Sequence, residues 1–229
     1  MSELILALDV ENLEQAKPFV EEIPELDFYK VGLQLFLKEG LGIIEYLKQK
    51  DKKVFLDLKF HDIPNTVGEA VKQVINSGID VLNIHISGGS EMIKKAVETA
   101  KSQNTDTKII GVTVLTSLDK NNLTDIGINL SPEEMVIKLA KLGYQNGLDG
   151  VVCSPLEAGK IKQNTSEKFL TFTPGITIDS IKRDDQKRTL SVKEAIKEGS
   201  DFLIVGRPIR NSSNPQDTVK NILSLMGNQ

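Results

Sequence analysis

The chain holds a single cysteine, Cys153. It cannot close an internal disulfide, which excludes a disulfide-stapled secreted fold. Its neighbours Val151 and Val152 are apolar, so Cys153 reads as a small buried hydrophobe rather than a nucleophile. No window reaches the ~18 apolar residues that a membrane-crossing helix needs. The start, Met1-Ser2-Glu3-Leu4, lacks a basic segment followed by a long apolar run, so no secretory signal is read and a cytoplasmic location is expected. Positive charge is not in excess: 28 Lys and Arg face 32 Asp and Glu, a net charge of -4. That balance argues against nucleic acid as the main partner, because a phosphate backbone rewards clustered positive charge. It leaves room for a local basic pocket. Only two histidines occur, His61 and His85, without a carboxylate at ligand spacing. This is a weak metal signal, and structural hydrogen bonding is the expectation for both.

What the chain does have is rhythm. Short, nearly continuous apolar runs rich in β-branched residues recur at 4–10, 27–31, 53–58, 81–86, 108–115, 150–153, 169–173 and 202–205. Such runs fit strands buried on both faces. Stretches with helical spacing lie between them, at 12–23, 66–77, 131–145, 191–197 and 217–226. Asn12 is a plausible N-cap, and Ser131-Pro132-Glu133-Glu134 opens a helix with a cap and a proline in the first turn. Strand and helix alternating about eight times over 229 residues predict one (β/α)8 TIM barrel spanning residues 1–229, with a doubly wound open sheet as the structural alternative. Gly88-Gly89 reads as a helix-entry turn. Residues 175–190 form the longest polar connection, the kind of loop that often acts as a lid.

Chemistry in such a barrel gathers where strands end. Asp9 ends the first run, Lys30 the second, and Asp57 and Lys59 the third, with Asp62 just beyond. His85 ends the fourth run and Thr116 the fifth. Asp57 and Lys59 are two apart, so on a strand they share a face. Buried charges need partners. The pair alone could be a plain ion pair closing the barrel. Lys30 and Asp62 extend it into an alternating network, which can hold a proton donor rigid in a fixed charge state. After the seventh and eighth runs come Pro174-Gly175-Ile176 and Gly206-Arg207, where barrels of this type commonly bind phosphate. A lone Gly-Arg is more often a turn with a solvated cation; its position favours phosphate binding.

The run from Asp57 to Thr66, with its Asp-x-Lys-x-x-Asp-Ile core, resembles the signature of the orotidine 5′-phosphate decarboxylase family, bacterial type. So do Ala7-Leu8-Asp9, Lys30-Val31-Gly32, Leu115-Thr116-Ser117, Thr173-Pro174-Gly175-Ile176, Asp185-Gln186-Lys187-Arg188 and Val205-Gly206-Arg207-Pro208-Ile209. The order and spacing of these segments are far more specific than any one alone. The resemblance implies a TIM-barrel lyase that needs no cofactor and no metal, and that makes UMP from orotidine 5′-phosphate in pyrimidine biosynthesis. It implies Lys59 as the acid that protonates C6, and Asp57 beside the substrate carboxylate. Lys30 would link Asp57 to the ribose, and Asp9 would hold a ribose hydroxyl. Thr116 would contact the pyrimidine amide. Pro174, Gly175, Gln186, Gly206 and Arg207 would bind the phosphate or fold the closing loop over it. Asp62 and Thr66 would reach into a neighbouring subunit's site, making a homodimer.

One position departs from the bacterial pattern: Pro-Gly-Ile is followed there by Arg and here by Thr177. Lys182, Arg183, Lys187 or Arg188 could stand in. Two rivals remain. One is a magnesium-dependent sugar-phosphate aldolase or decarboxylase of the same superfamily, which would be abolished by EDTA and would prefer an acidic residue near Lys30. The other is a non-catalytic nucleotide- or phosphate-binding barrel, which would have no use for the charged set.

Overall fold

The computed structural model describes residues 2–178 and 189–227. Eight parallel strands close on themselves. They are β1 (Glu3–Ala7), β2 (Phe28–Gly32), β3 (Lys53–Phe60), β4 (Val81–His85), β5 (Lys108–Val112), β6 (Gly150–Val152), β7 (Leu170–Thr173) and β8 (Phe202–Val205). Each pairs with its neighbour in sequence, and β1 pairs with β8 to seal the ring, Leu4 opposite Leu203 and Leu6 opposite Val205. The TIM-barrel expectation holds, and the open-sheet alternative falls.

Four apolar runs, those of β1, β4, β5 and β6, overshoot their strands at the C-terminal end, whereas β3 continues past its run to Phe60. β1 stops at Ala7 and β5 at Val112, so Asp9 and Thr116 sit in the loops after their strands. Burial continues there beneath the rim, as at Leu8 and Val114, which is why the apolar pattern runs on past the ladder. The expected caps are present. Asn12 accepts from the amide of Gln15, and Ser131 closes a reciprocal capping box with Glu134. Helices not read from the sequence lie at Leu33–Glu39, Gly42–Gln49, Lys120–Asp125, Ala158–Asn164 and Arg207–Arg210. Gly89 does open a helix, Gly89–Ser102. The long connection after β7 begins and ends in a short parallel pair, Ile176–Thr177 against Leu190–Ser191.

The core has two parts. One is the shell between strands and helices. The other fills the barrel itself: Ile5, Phe28, Phe55, Val81, Ile110, Phe172 and Ile204, with Phe202 packed against them. Phe172 and Phe202 stack at 4.2 Å between ring centres, and Phe28 meets Phe202 edge-on at 6.0 Å. The rings plug the barrel toward the strand starts. Polar side chains can therefore open only toward the strand ends, where the site lies.

Candidate active site

Four charged residues form a continuous chain of contacts at that end. Lys30 Nζ lies 3.0 Å from Asp9 Oδ1 and 3.0 Å from Asp57 Oδ2. Lys59 Nζ lies 2.6 Å from Asp57 Oδ1. Lys30 and Asp57 are each only 8% exposed, so neither charge could persist there alone. Burial by itself would push the Asp57 carboxyl up, but Lys30 and Lys59 overcome it and hold the pKa down at about 2. Burial would likewise lower Lys30, and Asp57 and Asp9 turn the net shift upward. Both groups are thus locked in their charged forms. Gly32 makes room for this packing, since a Cβ there would come within 3.1 Å of Lys30 Nζ and 3.2 Å of Asp9 Oδ1.

Two features correct the expectation drawn from simple strand alternation. First, Lys59 is not an ordinary strand residue: its φ is +53°, and the pairing of β3 with β4 slips between Leu56 and Phe60. Its side chain reaches Asp57 through a bulge. A non-glycine residue in this region costs on the order of 1–3 kcal/mol and persists only when its surroundings hold it. Asn83 supplies the hold. Its Oδ1 accepts the Lys59 amide at 2.8 Å, and its Nδ2 donates to Asp57 Oδ1 at 2.7 Å. Asn83 is fully buried, and the sequence reading missed it. A signal was available: a polar residue inside the run Val81-Leu82-Asn83-Ile84, in phase with Val81, which faces the barrel interior.

Second, within one chain the alternation of charges runs through Asp9, not Asp62. Asp62 is exposed at the rim, and its Oδ1 accepts the amide of Ile63 at 2.7 Å. Thr66, in the first turn of helix Pro64–Ile75, is exposed beside it. The histidines also differ from expectation. Their rings face each other at 5.2 Å between centres, and neither ring makes a hydrogen bond among the described residues. Burial first, then the nearby charges of His61 and Lys59, push His85 below its ordinary pKa, with Asp57 opposing. Among the described residues, no group of three or more His, Cys, Asp and Glu is placed to hold a metal ion.

The charged chain borders two adjoining cavities. One, of about 230 Å³, is walled by Asp57, Lys59, Thr116 and apolar residues including Val114 and Cys153. The other, of about 250 Å³, is walled by Gly175, Thr177, Gly206, Arg207 and Arg210. Asp9, Lys30 and Pro174 line both, so the two form one cleft. Its first half pairs a lysine-carboxylate cluster with an apolar wall. Among the described residues its second half carries three cations against one carboxylate, a suitable seat for a phosphate dianion. Of the sequence-predicted residues, Asp9, Lys30, Asp57, Lys59, Thr116, Pro174, Gly175, Gly206 and Arg207 all border this cleft. Gln186 lies outside the described residues, as do Lys182, Arg183, Lys187 and Arg188. Arg210 was missed.

A parallel barrel with a charged cleft at its strand ends and a cationic pocket after β7 and β8 is the ground plan of enzymes that act on phosphorylated substrates. The sequence model of the "Orotidine 5'-phosphate decarboxylase / HUMPS family" matches residues 2–222, and the chain belongs to that family. It is 41% identical over 221 residues to the orotidine 5'-phosphate decarboxylase of Neisseria meningitidis serogroup C, covering 96% of this chain and 90% of that one. Against the enzyme of the same name from Mannheimia succiniciproducens it is 42% identical, covering 99% and 98%. The crystal structure of orotidine 5'-phosphate decarboxylase from Lactobacillus acidophilus superposes with a TM-score of 0.87 at 36% identity, covering 98% and 99%.

Proposed function

We propose that the chain, working as one barrel domain, decarboxylates orotidine 5′-phosphate to UMP, and that Lys59 is its proton donor. The carrying observation is the unbroken run Asp9–Lys30–Asp57–Lys59, with contacts of 3.0, 3.0 and 2.6 Å, at one end of a cleft whose other end is cationic. The C6–carboxylate bond breaks and its electron pair stays on C6. A proton from the Lys59 ammonium then forms the new C6–H bond, and the lysine is recharged from solvent. The ammonium next to the developing carbanion supplies the main stabilisation, because preorganised charge is worth most where water is excluded. Asp57 fixes that ammonium in place and lies beside the departing carboxylate. Lys30 and Asp9 carry the chain of charges on to the ribose, and Thr116 meets the base. Pro174, Gly175, Gly206 and Arg207 hold the phosphate, with Gln186 assigned to the same role by the family pattern.

The reaction as drawn calls for no metal or organic cofactor, since lysine supplies both charge and proton. The family description also covers HUMPS proteins, and a metal-assisted reaction on a sugar phosphate is the second reading. Lys30 disfavours it, because its ammonium lies between the two carboxylates that a cation would need. The deciding experiment adds orotidine 5′-phosphate to the purified protein in the presence of EDTA and follows the absorbance. Decay to UMP is expected. No decay with EDTA, and decay restored by magnesium, would remove this mechanism.

We further infer a homodimer with shared sites. Asp62 and Thr66 are exposed at the rim, close to Lys59 in sequence but outside its ion network. Beside them Ile63 is 67% exposed, and Leu37 on the helix after the adjacent β2 is 80% exposed. Two large exposed apolar side chains near this rim are what a subunit contact would cover. Asp62→Ala and Lys59→Ala chains, refolded together, are expected to recover activity that neither has alone, because one hybrid site carries both native residues. No recovery in verified hybrids would mean that Asp62 acts within its own chain.

A further inference from the structure

Arg210 is short of acceptors. Its side chain is 17% exposed, and its Nη2 is 3.8 Å from Asp9 Oδ2, too far for a hydrogen bond. Its Nε is buried with no hydrogen-bond partner among the described residues. Asp9, the one carboxylate lining this cavity among the described residues, already accepts from Lys30 at 3.0 Å. A guanidinium carries five donors in a fixed fork, and leaving buried donors unmatched is costly. Yet the residue lines the cationic cavity of about 250 Å³. It sits three positions after Arg207 on the short helix Arg207–Arg210, a spacing that brings two side chains to one face. Thr177, where the bacterial pattern has arginine, lines the same cavity. Its hydroxyl is 3.3 Å from the Leu190 carbonyl and carries no charge.

The geometry points to Arg210 as a second phosphate-binding cation of this site, supplying within the same cavity the charge that Thr177 does not provide. The inference rests on the 5′-phosphate occupying this cavity, and it names a residue that the family motif does not. A phosphate dianion would offer its oxygens to both guanidinium groups, Arg207 and Arg210. Arg210 would then connect the phosphate to Asp9, and through Lys30 to Asp57, so that phosphate binding and the charged cluster share one line of contacts.

The test compares wild type with Arg210→Gln, which keeps bulk and loses charge, and with Arg210→Lys, which keeps charge and loses the fork. A fourth protein adds Thr177→Arg to Arg210→Gln. The primary readout is the affinity for UMP against that for uridine, by calorimetry. A hydrogen bond to a charged group corresponds to about a 10- to 100-fold effect. Arg210→Gln is expected to weaken UMP by that factor and leave uridine unchanged. Arg210→Lys should fall between, and Thr177→Arg should restore much of the loss. Equal losses for UMP and uridine would overturn the proposal, because they would mean that Arg210 acts only by positioning Asp9. Unchanged UMP affinity would overturn it too. Failure of wild type to decarboxylate orotidine 5′-phosphate would defeat the functional reading alone, since the UMP-to-uridine ratio reads the phosphate contact without turnover.

Discussion

The two ends of this barrel both carry aspartates and lysines, and they use them in opposite ways. At the strand starts, three segments repeat a Gly-x-Asp pattern: Gly78-Ile79-Asp80 before β4, Gly147-Leu148-Asp149 before β6, and Gly199-Ser200-Asp201 before β8. In each, the carboxylate reaches the preceding strand and accepts a backbone amide at 2.8 Å, from Val54, Ile109 and Thr171 respectively. Lys48 pairs with Asp80 at 3.0 Å, and Lys162 with Asp201 at 2.9 Å. These charges are spent on the backbone and tie even strands to odd ones. At the strand ends, Asp57 accepts no backbone amide among the described contacts; its oxygens go to buried Asn83 and to Lys30 and Lys59, and the two lysines line an open cleft. An aspartate bonded to main chain closes a structure. One bonded to lysines beside a cavity leaves a poised ammonium.

The largest effect separating the two ends is expected at Lys59. General-acid catalysis alone contributes about 100- to 10,000-fold, so Lys59→Ala should lower kcat by at least that much while UMP still binds. Steady-state kinetics beside UMP titration will read this, and a variant with near-normal kcat would erase the distinction between the ends. A smaller effect, of the other kind, is expected at Asp201. Asp201→Ala strands the Thr171 amide and removes the ion-pair partner of Lys162, which keeps the Glu167 carbonyl at 3.2 Å, while the Thr171 hydroxyl still reaches the Gly199 carbonyl at 3.0 Å, a loss of about 1–3 kcal/mol. At roughly 2–4 °C per kcal/mol for a chain of this size, thermal melting should drop by several degrees, with kcat/KM below the melting range almost unchanged. A catalytic defect in Asp201→Ala without a stability defect would contradict the assignment.

The smallest expected effect sharpens the comparison through pH. His85 has a folded pKa below its ordinary 6.5, so the folded state prefers the neutral ring. The unfolded chain therefore takes up the proton first as pH falls. The contribution of His85 to stability is present above about 6.5 and is lost as pH drops through the interval below it. Asp57 also has a lowered pKa, but its contribution is intact above about 3.8 and is lost only toward about 2, outside that interval. Melting temperatures measured between pH 7.5 and 5.5 should fall less steeply in His85→Gln than in wild type. An equal or steeper slope would show that the ring's neutral state is not what the rim favours.

Much of this was legible in one dimension. β-Branched runs bounded by helical stretches encode the barrel, because period and burial are local properties of the chain. Asp57, Lys59, Gly175 and Arg207 could be picked out because each follows or ends an apolar run, and position along a barrel strand has a fixed meaning. The Gly-x-Asp repeat was equally visible and went unread, since its target is the amide of another strand.

Contacts across the ring could not be read. Asp9 meets Arg210, some two hundred positions later, because β1 closes against β8. Asn83 reaches Asp57 and Lys59 because β4 lies beside β3, and the left-handed turn at Lys59 exists because that amide found an acceptor there. The sequence by itself determined the strand order, the buried runs and the residue types available at the rim. Closure of the barrel decided which of those residues meet within one chain: Asp9 with Lys30 in the charged cluster, and Arg210 beside Arg207 at the cationic end. Hydrophobic periodicity is a property of neighbours in the chain, whereas charge pairing depends on distances of a few ångströms that only the closed ring creates.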